Sequence, residues 1–290
     1  MKNERQIAQS SRNLGLAGKE MAEKSWKAEG RSVAGAHCKS VVQIEVTTVC
    51  NFDCFYCAGR NMPQQHMKQD VFDSILASLP EGHCKVSLQG EGEPTLHPEF
   101  ITMAKQVAES GKTPYTITNC SRLDSVAIAE LFPEIGVSLD TLDPDEAERV
   151  GRHDLKEVLA NLDRLIVRMG PQRIIVHTVN YGQSMGQLLR FLKARKLLRH
   201  IMQPLQAKED YTQRYPAHRL LPREPNYHFR CRYLLQPIMR YYDVTGRKIP
   251  CCYIKDSSRY VSTEHTRAMM QQRILPDCCI GCREIVVRSQ

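Results

Sequence analysis

Segments with the periodicity of a strand alternate with segments of helical periodicity along residues 41–206. In the first strand-like segment, VVQIEVTT, the apolar side chains of Val42, Ile44 and Val46 recur at every second residue. In residues 155–170, apolar side chains recur instead at helical spacing and end at a glycine. Strands that alternate with helices form a parallel sheet with the helices packed outside it.

Six such strand–helix units occur in this region. Six units are fewer than the eight that close a barrel, so the alternation predicts an α/β fold with an open, partial (β/α)6 barrel. In parallel α/β sheets, ligands bind at the C-terminal ends of the strands, so site residues are expected there. The predicted strands are residues 41–48, 84–90, 114–119, 135–142, 173–180 and 200–206, and the predicted helices are 67–80, 98–111, 125–132, 155–170 and 185–198.

The remainder of the chain divides into two further regions. Residues 1–40 are predicted to form a polar helical arm before the barrel, which is assigned to residues 41–207. Prolines among polar residues after 207 indicate a linker, and a small cysteine-rich domain follows, so the third region is 208–290.

Composition restricts the compartment and the partners of this chain. The N-terminus has no apolar signal core, and no apolar run approaches the ~18 residues of a membrane span, so we expect a cytoplasmic protein without a membrane partner. In the reducing cytosol, twelve cysteines indicate metal ligands or catalytic thiols rather than disulfides. The net charge of +8 is spread diffusely, which argues against a nucleic-acid partner.

The first cysteine group follows the first predicted strand directly. Cys50, Cys54 and Cys57 are spaced C-x3-C-x2-C, which offers three ligands where a closed zinc site needs four. Three thiolates on one loop can hold three irons of a [4Fe-4S] cluster and leave the fourth iron open to an exogenous ligand. A zinc loop that takes its fourth ligand from a distant residue is the alternative.

This loop, with Tyr56 before its third cysteine, resembles the radical S-adenosylmethionine (radical SAM) superfamily. The resemblance implies a partial (β/α)6 radical SAM barrel, a [4Fe-4S] cluster and S-adenosyl-L-methionine (SAM) as cofactors. It also implies that SAM binds the open iron and is cleaved reductively to a 5′-deoxyadenosyl radical, which abstracts a hydrogen atom from the substrate. Tyr56 is then expected near the adenine of SAM.

Three further stretches resemble the same family, in the same order along the chain. GEGEPTLHPEF, after the second strand, is similar to the Gly-Gly-Glu-Pro stretch that holds the SAM ammonium, with Glu91 where many members have the first glycine. ITNC and VSLDT are similar to motifs that end the third and fourth strands. The resemblance therefore assigns SAM contacts to Gly92, Glu93, Pro94, Asn119 and Ser138.

The second cysteine group lies in the C-terminal region. Its CxxC pair, Cys279 and Cys282, can chelate one metal ion, and zinc is one possibility. The spacing, with DVTGRKIPC as a small hairpin, resembles the twitch or shortened SPASM extension of radical SAM enzymes. That resemblance implies a second [4Fe-4S] cluster. Its implied ligands are Cys231, Cys251, Cys279 and Cys282, with the neighbours Cys252 and Cys278 as alternatives within each vicinal pair.

The sequence and its resemblance predict the class of reaction but not the substrate. We expect hydrogen-atom abstraction from a small-molecule or peptide substrate, with oxidation or natural-product modification as the outcome and a flavodoxin or ferredoxin as reductant. Cys120 is a candidate hydrogen donor, with a packing role as the alternative. Two other functions stay open. One is transfer of the SAM 3-amino-3-carboxypropyl group to As(III) bound by Cys278, Cys279 and Cys282. The other is a non-catalytic iron–sulfur or zinc protein that binds nucleic acid.

Overall fold

The computed structural model describes residues 41–206, 208, 227–236 and 238–289. The predicted arm and most of the predicted linker lie outside the described residues. The strands are β1 (Val41–Ile44), β2 (Lys85–Leu88), β3 (Thr113–Tyr115), β4 (Ile117–Thr118), β5 (Ile135–Ser138), β6 (Ile174–Asn180), β7 (His200–Pro204), β8 (Tyr227–Cys231), β9 (Met239–Tyr242), β10 (Lys248–Ile249) and β11 (Ile285–Ser289). The helices are α1 (Gln69–Ser78), α2 (Phe100–Glu109), α3 (Ser125–Leu131), α4 (Pro144–Val150), α5 (Leu155–Met169), α6 (Gly186–Ala194), α7 (Arg232–Leu235) and α8 (Thr263–Gln271).

The strands form the parallel, curved arrangement that the alternation predicts. One sheet has the order β10-β9-β1-β2-β3, and a second has the order β4-β5-β6-β7. Every pairing from β1 to β7 is parallel. The α/β fold and the partial barrel predicted from the sequence are confirmed.

The third predicted strand, residues 114–119, is divided between the two sheets. Thr116 interrupts it: the Thr116 hydroxyl donates to the Leu88 carbonyl at 2.6 Å, and the Thr116 carbonyl accepts from the Gly136 backbone N–H at 2.8 Å. The chain thus passes from β2 to β5 at this residue. Position 136 requires glycine, because a Cβ atom there would lie 2.6 Å from Cγ1 of Ile117 and 2.8 Å from the Tyr115 hydroxyl.

The hydrophobic core lies between the strands and the helices. Side chains at alternate strand positions, such as Val42, Ile44 and Val137, are fully buried against the helices. Helix α5 contributes Val158 and Leu162 from its apolar stripe. Each such burial stabilises the fold by about 1.5–3 kcal/mol relative to an exposed side chain.

Strand β9, from the C-terminal region, extends the barrel sheet. It pairs in parallel with β1, with Val41 opposite Met239 and Ile44 opposite Tyr242. It also forms the hairpin expected around DVTGRKIPC by pairing antiparallel with β10. The pairing of β9 with β1 was not predicted, because the two strands are far apart in the sequence and no local pattern relates them.

The second cysteine group lies in a second, smaller core. Strands β8 and β11 pair antiparallel beside it, with Cys231 opposite Ile285. All six cysteines of the group belong to this core or pack against it, together with tyrosine and aliphatic side chains. The longest described helix, α5, has 15 residues, and none of the described helices could span a lipid bilayer.

His177 is a buried histidine that makes stability depend on pH. Burial, followed by the nearby His200, lowers its pKa from 6.5 to about 4, and its Nε2 lies 3.2 Å from the Tyr115 hydroxyl. Between pH 6.5 and about 4 the unfolded chain therefore binds a proton that the folded chain does not, so stability falls as the pH falls. We expect His177→Gln to reduce this loss by about 2 kcal/mol in urea unfolding measured at both pH values. His265→Gln, at an exposed position of α8, is the control and should leave the loss unchanged.

Candidate functional site

The first cysteine group lies on the loop that follows β1, at the C-terminal edge of the sheet. Two backbone hydrogen bonds fix this loop to the end of α4: Asp53 N–H donates to the Gly151 carbonyl at 2.9 Å, and Phe55 N–H donates to the Val150 carbonyl at 3.0 Å. Gly151 has a φ of 87°, and a Cβ atom there would collide with the backbone of Asp53. Helix α4 was not predicted from the sequence, so this support for the loop was missed.

The three thiols of this loop have different hydrogen-bond partners. The sulfur of Cys50 accepts from the Phe52 N–H at 3.4 Å, and the thiol of Cys57 donates to Oε2 of Glu91 at 3.2 Å. Burial raises the pKa of Cys50 to about 11 and raises the pKa of both Cys54 and Cys57. Without a metal these thiols are protonated, so a bound cation has to displace their protons.

The GEGEP loop after β2 packs directly against the cysteine loop. The Glu93 N–H donates to the Val49 carbonyl at 2.8 Å. A Cβ atom on Gly92 would lie 2.7 Å from the Val49 carbonyl oxygen and closer still to that of Thr47. Gly92 therefore allows the two loops to approach each other. Its predicted contact with SAM stays a prediction.

This contact predicts a large effect for a small substitution. We expect Gly92→Ala to lower the free energy of unfolding by about 1–3 kcal/mol, since backbone atoms on both loops must move apart. Thermal denaturation measures the change. Gly186→Ala is the matched control, because a Cβ atom there would meet only the end of the Arg190 side chain, at 3.5 Å. Equal stability of the two variants would contradict the close approach at Gly92.

The carboxylate of Glu93 joins the ends of β2 and β4. Its Oε1 accepts from the Thr118 hydroxyl at 2.7 Å, and its Oε2 accepts from the Asn119 N–H at 2.6 Å. Burial raises the pKa of Glu93, and these hydrogen bonds oppose that rise. Pro94 follows as the first residue of a short 3-10 turn whose N-cap is Glu93. The side chain of Glu93 thus holds the strand ends beside the cysteine loop.

Asn119 connects the end of β4 to the first cysteine. Its Nδ2 donates to Oδ1 of Asn51 at 3.0 Å and lies 3.9 Å from the sulfur of Cys50. Cys120, the next residue, is fully buried in the hydrophobic core, and its φ is 64°. Its burial favours the packing role over hydrogen donation.

Tyr56 belongs to a buried polar group that the sequence did not predict. Its hydroxyl donates to Asp140 and accepts from Nε of Arg152 at 2.9 Å, and Nε of Arg152 lies 2.7 Å from Oδ2 of Asp140. Arg152 also donates to the carbonyl of Ser138, so the end of β5 is fixed to the same group. VSLDT contained a signal for this group, since its aspartate, Asp140, follows a buried strand directly after Leu139.

The four predicted ligands of the second cysteine group lie in the same small core. Burial raises the pKa of Cys251, and the neighbouring Cys252 and Cys282 raise it further. Burial likewise raises the pKa of Cys282, with an added contribution from Cys231. The thiol of Cys279 lies 3.8 Å from the sulfur of Cys278.

Cys252 and Cys278, the two alternatives, have different surroundings. Burial raises the pKa of the Cys252 thiol to about 11, and the charged groups with the largest effects on that pKa are Lys255, which lowers it, and Glu91, which raises it. Cys278 is buried, and its carbonyl accepts from the buried Lys208 at 2.9 Å. The Cys252 thiol therefore lies on the side of the group that borders the GEGEP loop.

An ion pair between Glu91 and Lys255 forms the border between the two cysteine groups. Nζ of Lys255 is 2.5 Å from Oε1 of Glu91, and both side chains are largely buried. No sequence pattern indicates this pair, because a glutamate in a turn and a lysine 164 residues later are not related by any local spacing.

The chain is thus an α/β protein whose first cysteine loop lies at the open end of a partial barrel. The sequence pattern of the radical SAM superfamily matches residues 44–194, more than half of the chain. The chain belongs to the radical SAM superfamily, whose members bind a [4Fe-4S] cluster and SAM, and the enzymatic prediction is confirmed.

Curated relatives of this chain include two enzymes named GTP 3′,8-cyclase. The one from Chlorobaculum tepidum is 34% identical over 139 residues, which are 43% of this chain and 40% of that protein. The one from Aliarcobacter butzleri is 26% identical over 176 residues, 52% of this chain and 54% of that protein. The chain thus matches about half the length of these relatives or less.

Among solved structures, SuiB from Streptococcus suis is similar with a TM-score of 0.57 and 12% sequence identity. The alignment covers 81% of this chain and 65% of SuiB. At this identity the likeness shows the fold alone.

The donor set on the loop fits the cluster that the family implies. In the described ranges, no three His, Cys, Asp or Glu side chains stand together as a site for a single metal ion. A [4Fe-4S] cluster is bound through separate irons, so its cysteines need not converge on one point. Cys50, Cys54 and Cys57 would supply the thiolate ligands, and the backbone around Gly92 packs against the loop that carries them.

Proposed function

We propose that this chain reductively cleaves SAM and directs the resulting radical to abstract a hydrogen atom from its substrate. The observation that carries the proposal is the loop of Cys50, Cys54 and Cys57, three thiols at the open edge of the barrel beside the GEGEP loop. The [4Fe-4S] cluster, when bound by these three cysteines, would supply the electron for SAM cleavage. Three cysteine ligands leave the fourth iron of the cluster open to SAM.

The chain's own residues would bind and orient SAM at this edge. The exposed backbone at Gly92 would accept the SAM ammonium, and Glu93 would keep that backbone in place through its bonds to Thr118 and Asn119. Pro94 would fix the direction in which the loop leaves the site. Ser138, at the end of β5, would contact the ribose.

Tyr56 would lie beside the adenine in this arrangement. Its hydroxyl is fixed by Asp140 and Arg152, so the ring has a defined orientation and can offer one face. Burial is the largest cause of the raised pKa of Tyr56, and Asp140 raises that pKa further, against the lowering effect of Arg152. Tyr56 would therefore act as a neutral positioning residue.

The C-terminal region would hold a second [4Fe-4S] cluster as a twitch or SPASM-like domain. The proposed ligands are Cys231, Cys251, Cys279 and Cys282. All four belong to the same small core, which supports a single site, and Cys252 remains the alternative to Cys251. Such a cluster could accept an electron from a substrate radical, which would make the reaction an oxidation.

The substrate would be a small molecule or a peptide, and the electron donor a flavodoxin or ferredoxin in the cytoplasm. The names of the curated relatives add GTP to the candidates. Their matched region is less than two thirds of their length, so GTP enters the test as one candidate among others.

A second candidate function rests on the contact between Cys278 and Cys279. Two sulfurs 3.8 Å apart, with Cys282 in the same core, could bind a thiophilic ion such as As(III). Transfer of the SAM 3-amino-3-carboxypropyl group to that ion would release methylthioadenosine instead of 5′-deoxyadenosine.

The nucleoside product distinguishes these functions. The protein is reconstituted with iron and sulfide without oxygen, reduced with dithionite and given SAM. The proposal predicts 5′-deoxyadenosine as the product. Deuterium-labelled alcohols, peptides and GTP are then tested one at a time, and the true substrate should transfer its deuterium to the 5′-deoxyadenosine. Methylthioadenosine as the main product would favour aminocarboxypropyl transfer, and the absence of any SAM cleavage product would contradict both functions.

A further inference from the structure

Glu91 links the two loops of the site through both its backbone and its side chain. Its N–H donates to Oε1 of Glu45 at 2.9 Å, and a Cβ atom on Gly59 would lie 2.6 Å from its carbonyl oxygen. Its Oε2 lies 3.2 Å from the sulfur of Cys57. A carboxylate is thus held in contact with one of the three proposed cluster ligands.

The same carboxylate is held from the other side by Lys255. Nζ of Lys255 lies 2.5 Å from Oε1 of Glu91 and donates to the carbonyl of Cys252, also at 2.5 Å. Only 5% of the Lys255 side chain and 14% of the Glu91 side chain are exposed. Cys57 and Cys252 are therefore connected through one buried ion pair.

The charges in this contact need to be balanced. As a cluster ligand Cys57 is a thiolate, and a carboxylate in contact with it repels it, more strongly in a buried site than in water. Glu45, which accepts a hydrogen bond from the Glu91 N–H, is fully buried, and burial raises the pKa of its carboxyl group. Lys255 is the cation that contacts Glu91, and its pKa is raised by Glu91, Tyr241 and Glu45 against the opposing effect of burial.

We propose that Lys255 is a positioning residue for the cluster site: it offsets the charge of Glu91 beside Cys57, and this pair sets the reduction potential of the cluster. The inference rests on the proposed function, because it assumes a cluster on Cys50, Cys54 and Cys57. It goes beyond that function by making the cluster's potential depend on a residue three positions after Cys252 in the C-terminal cysteine region. Negative charge close to an iron–sulfur cluster favours its oxidised state.

Two single variants should shift the potential in opposite directions. Glu91→Gln removes a negative charge and keeps the shape, so the reduction potential should become less negative. Lys255→Met removes the opposing charge, so the potential should become more negative. The double variant Glu91→Gln/Lys255→Met should return close to the wild-type value. Redox titration followed by electron paramagnetic resonance of the reduced cluster measures all four proteins.

A second lysine–glutamate pair provides the matched control. Lys85 and Glu134 are 2.5 Å apart at the beginning of β2, the opposite end of the strand from the GEGEP loop. Lys85→Met should leave the potential unchanged. Lys255→Met could fail to take up iron. In that case, iron uptake by the double variant supports the proposal, and failure of the double variant to take up iron overturns it.

The remaining outcomes separate this inference from the proposed function. The role of the ion pair is overturned if both single variants shift the reduction potential in the same direction, or if both retain iron and leave the potential unchanged. In either case a reducible cluster in the wild-type protein still supports the proposed function. A wild-type protein that holds no reducible cluster overturns both.

Discussion

Replacement of Cys54 by alanine is expected to abolish SAM cleavage and to remove about half of the bound iron, the share of one of two equal clusters. Cys54 is the most buried of the three loop cysteines, and the loop that carries it is tied to the end of α4 by backbone bonds. With two thiols left, the loop holds too few ligands for a stable [4Fe-4S] cluster. Iron analysis and the yield of 5′-deoxyadenosine measure the two losses.

Cys84→Ala is the control for this variant. Cys84 is also buried, but it belongs to the hydrophobic core between strands and helices and to neither cysteine group. It should retain the wild-type iron content and activity. Retention of the full iron content by Cys54→Ala would contradict the assignment of the loop as a cluster site.

Replacement of Arg152 by methionine is expected to destabilise the fold by about 3–5 kcal/mol, because it leaves the carboxylate of Asp140 buried without its cation. Only 1% of the Asp140 side chain and 13% of the Arg152 side chain are exposed. The Tyr56 hydroxyl and the Val179 N–H would still donate to this carboxylate, so the variant should fold, with a lower unfolding midpoint in urea.

Arg164→Met is the matched control on the surface. Arg164 and Glu157 are 2.9 Å apart, but more than half of each side chain is exposed. Its loss should change stability by no more than about 1 kcal/mol. Asp140→Asn combined with Arg152→Met should be less destabilised than Arg152→Met alone. Similar losses in the buried and the exposed pair would contradict the structural role of Asp140 and Arg152.

The sequence predicted those parts of the fold that local periodicity determines. Apart from α4, the strands and helices from β1 to β7 lie within or close to their predicted ranges, because apolar spacing follows the side on which each element is buried. The division of residues 114–119 at Thr116 was missed, since it depends on hydrogen bonds to β2 and β5. The addition of β9 to β1 was missed for the same reason.

The candidate site was predictable where it depends on the ends of parallel strands. Cys50, Gly92, Asn119 and Ser138 follow or end successive strands, and the fold brings such positions to one edge. The ion pairs Asp140–Arg152 and Glu91–Lys255 could not be predicted, because each joins residues that only tertiary packing brings together.

The central claim is that the loop leaves one iron open and that SAM occupies it. The most direct measurement is electron–nuclear double resonance on the reduced protein with SAM labelled with 15N in its amino group and 17O in its carboxylate. A SAM molecule bound to the open iron predicts hyperfine coupling of both labels to the cluster, lost in Cys54→Ala and preserved in Cys84→Ala. A reduced cluster that shows no coupling to either label would contradict it.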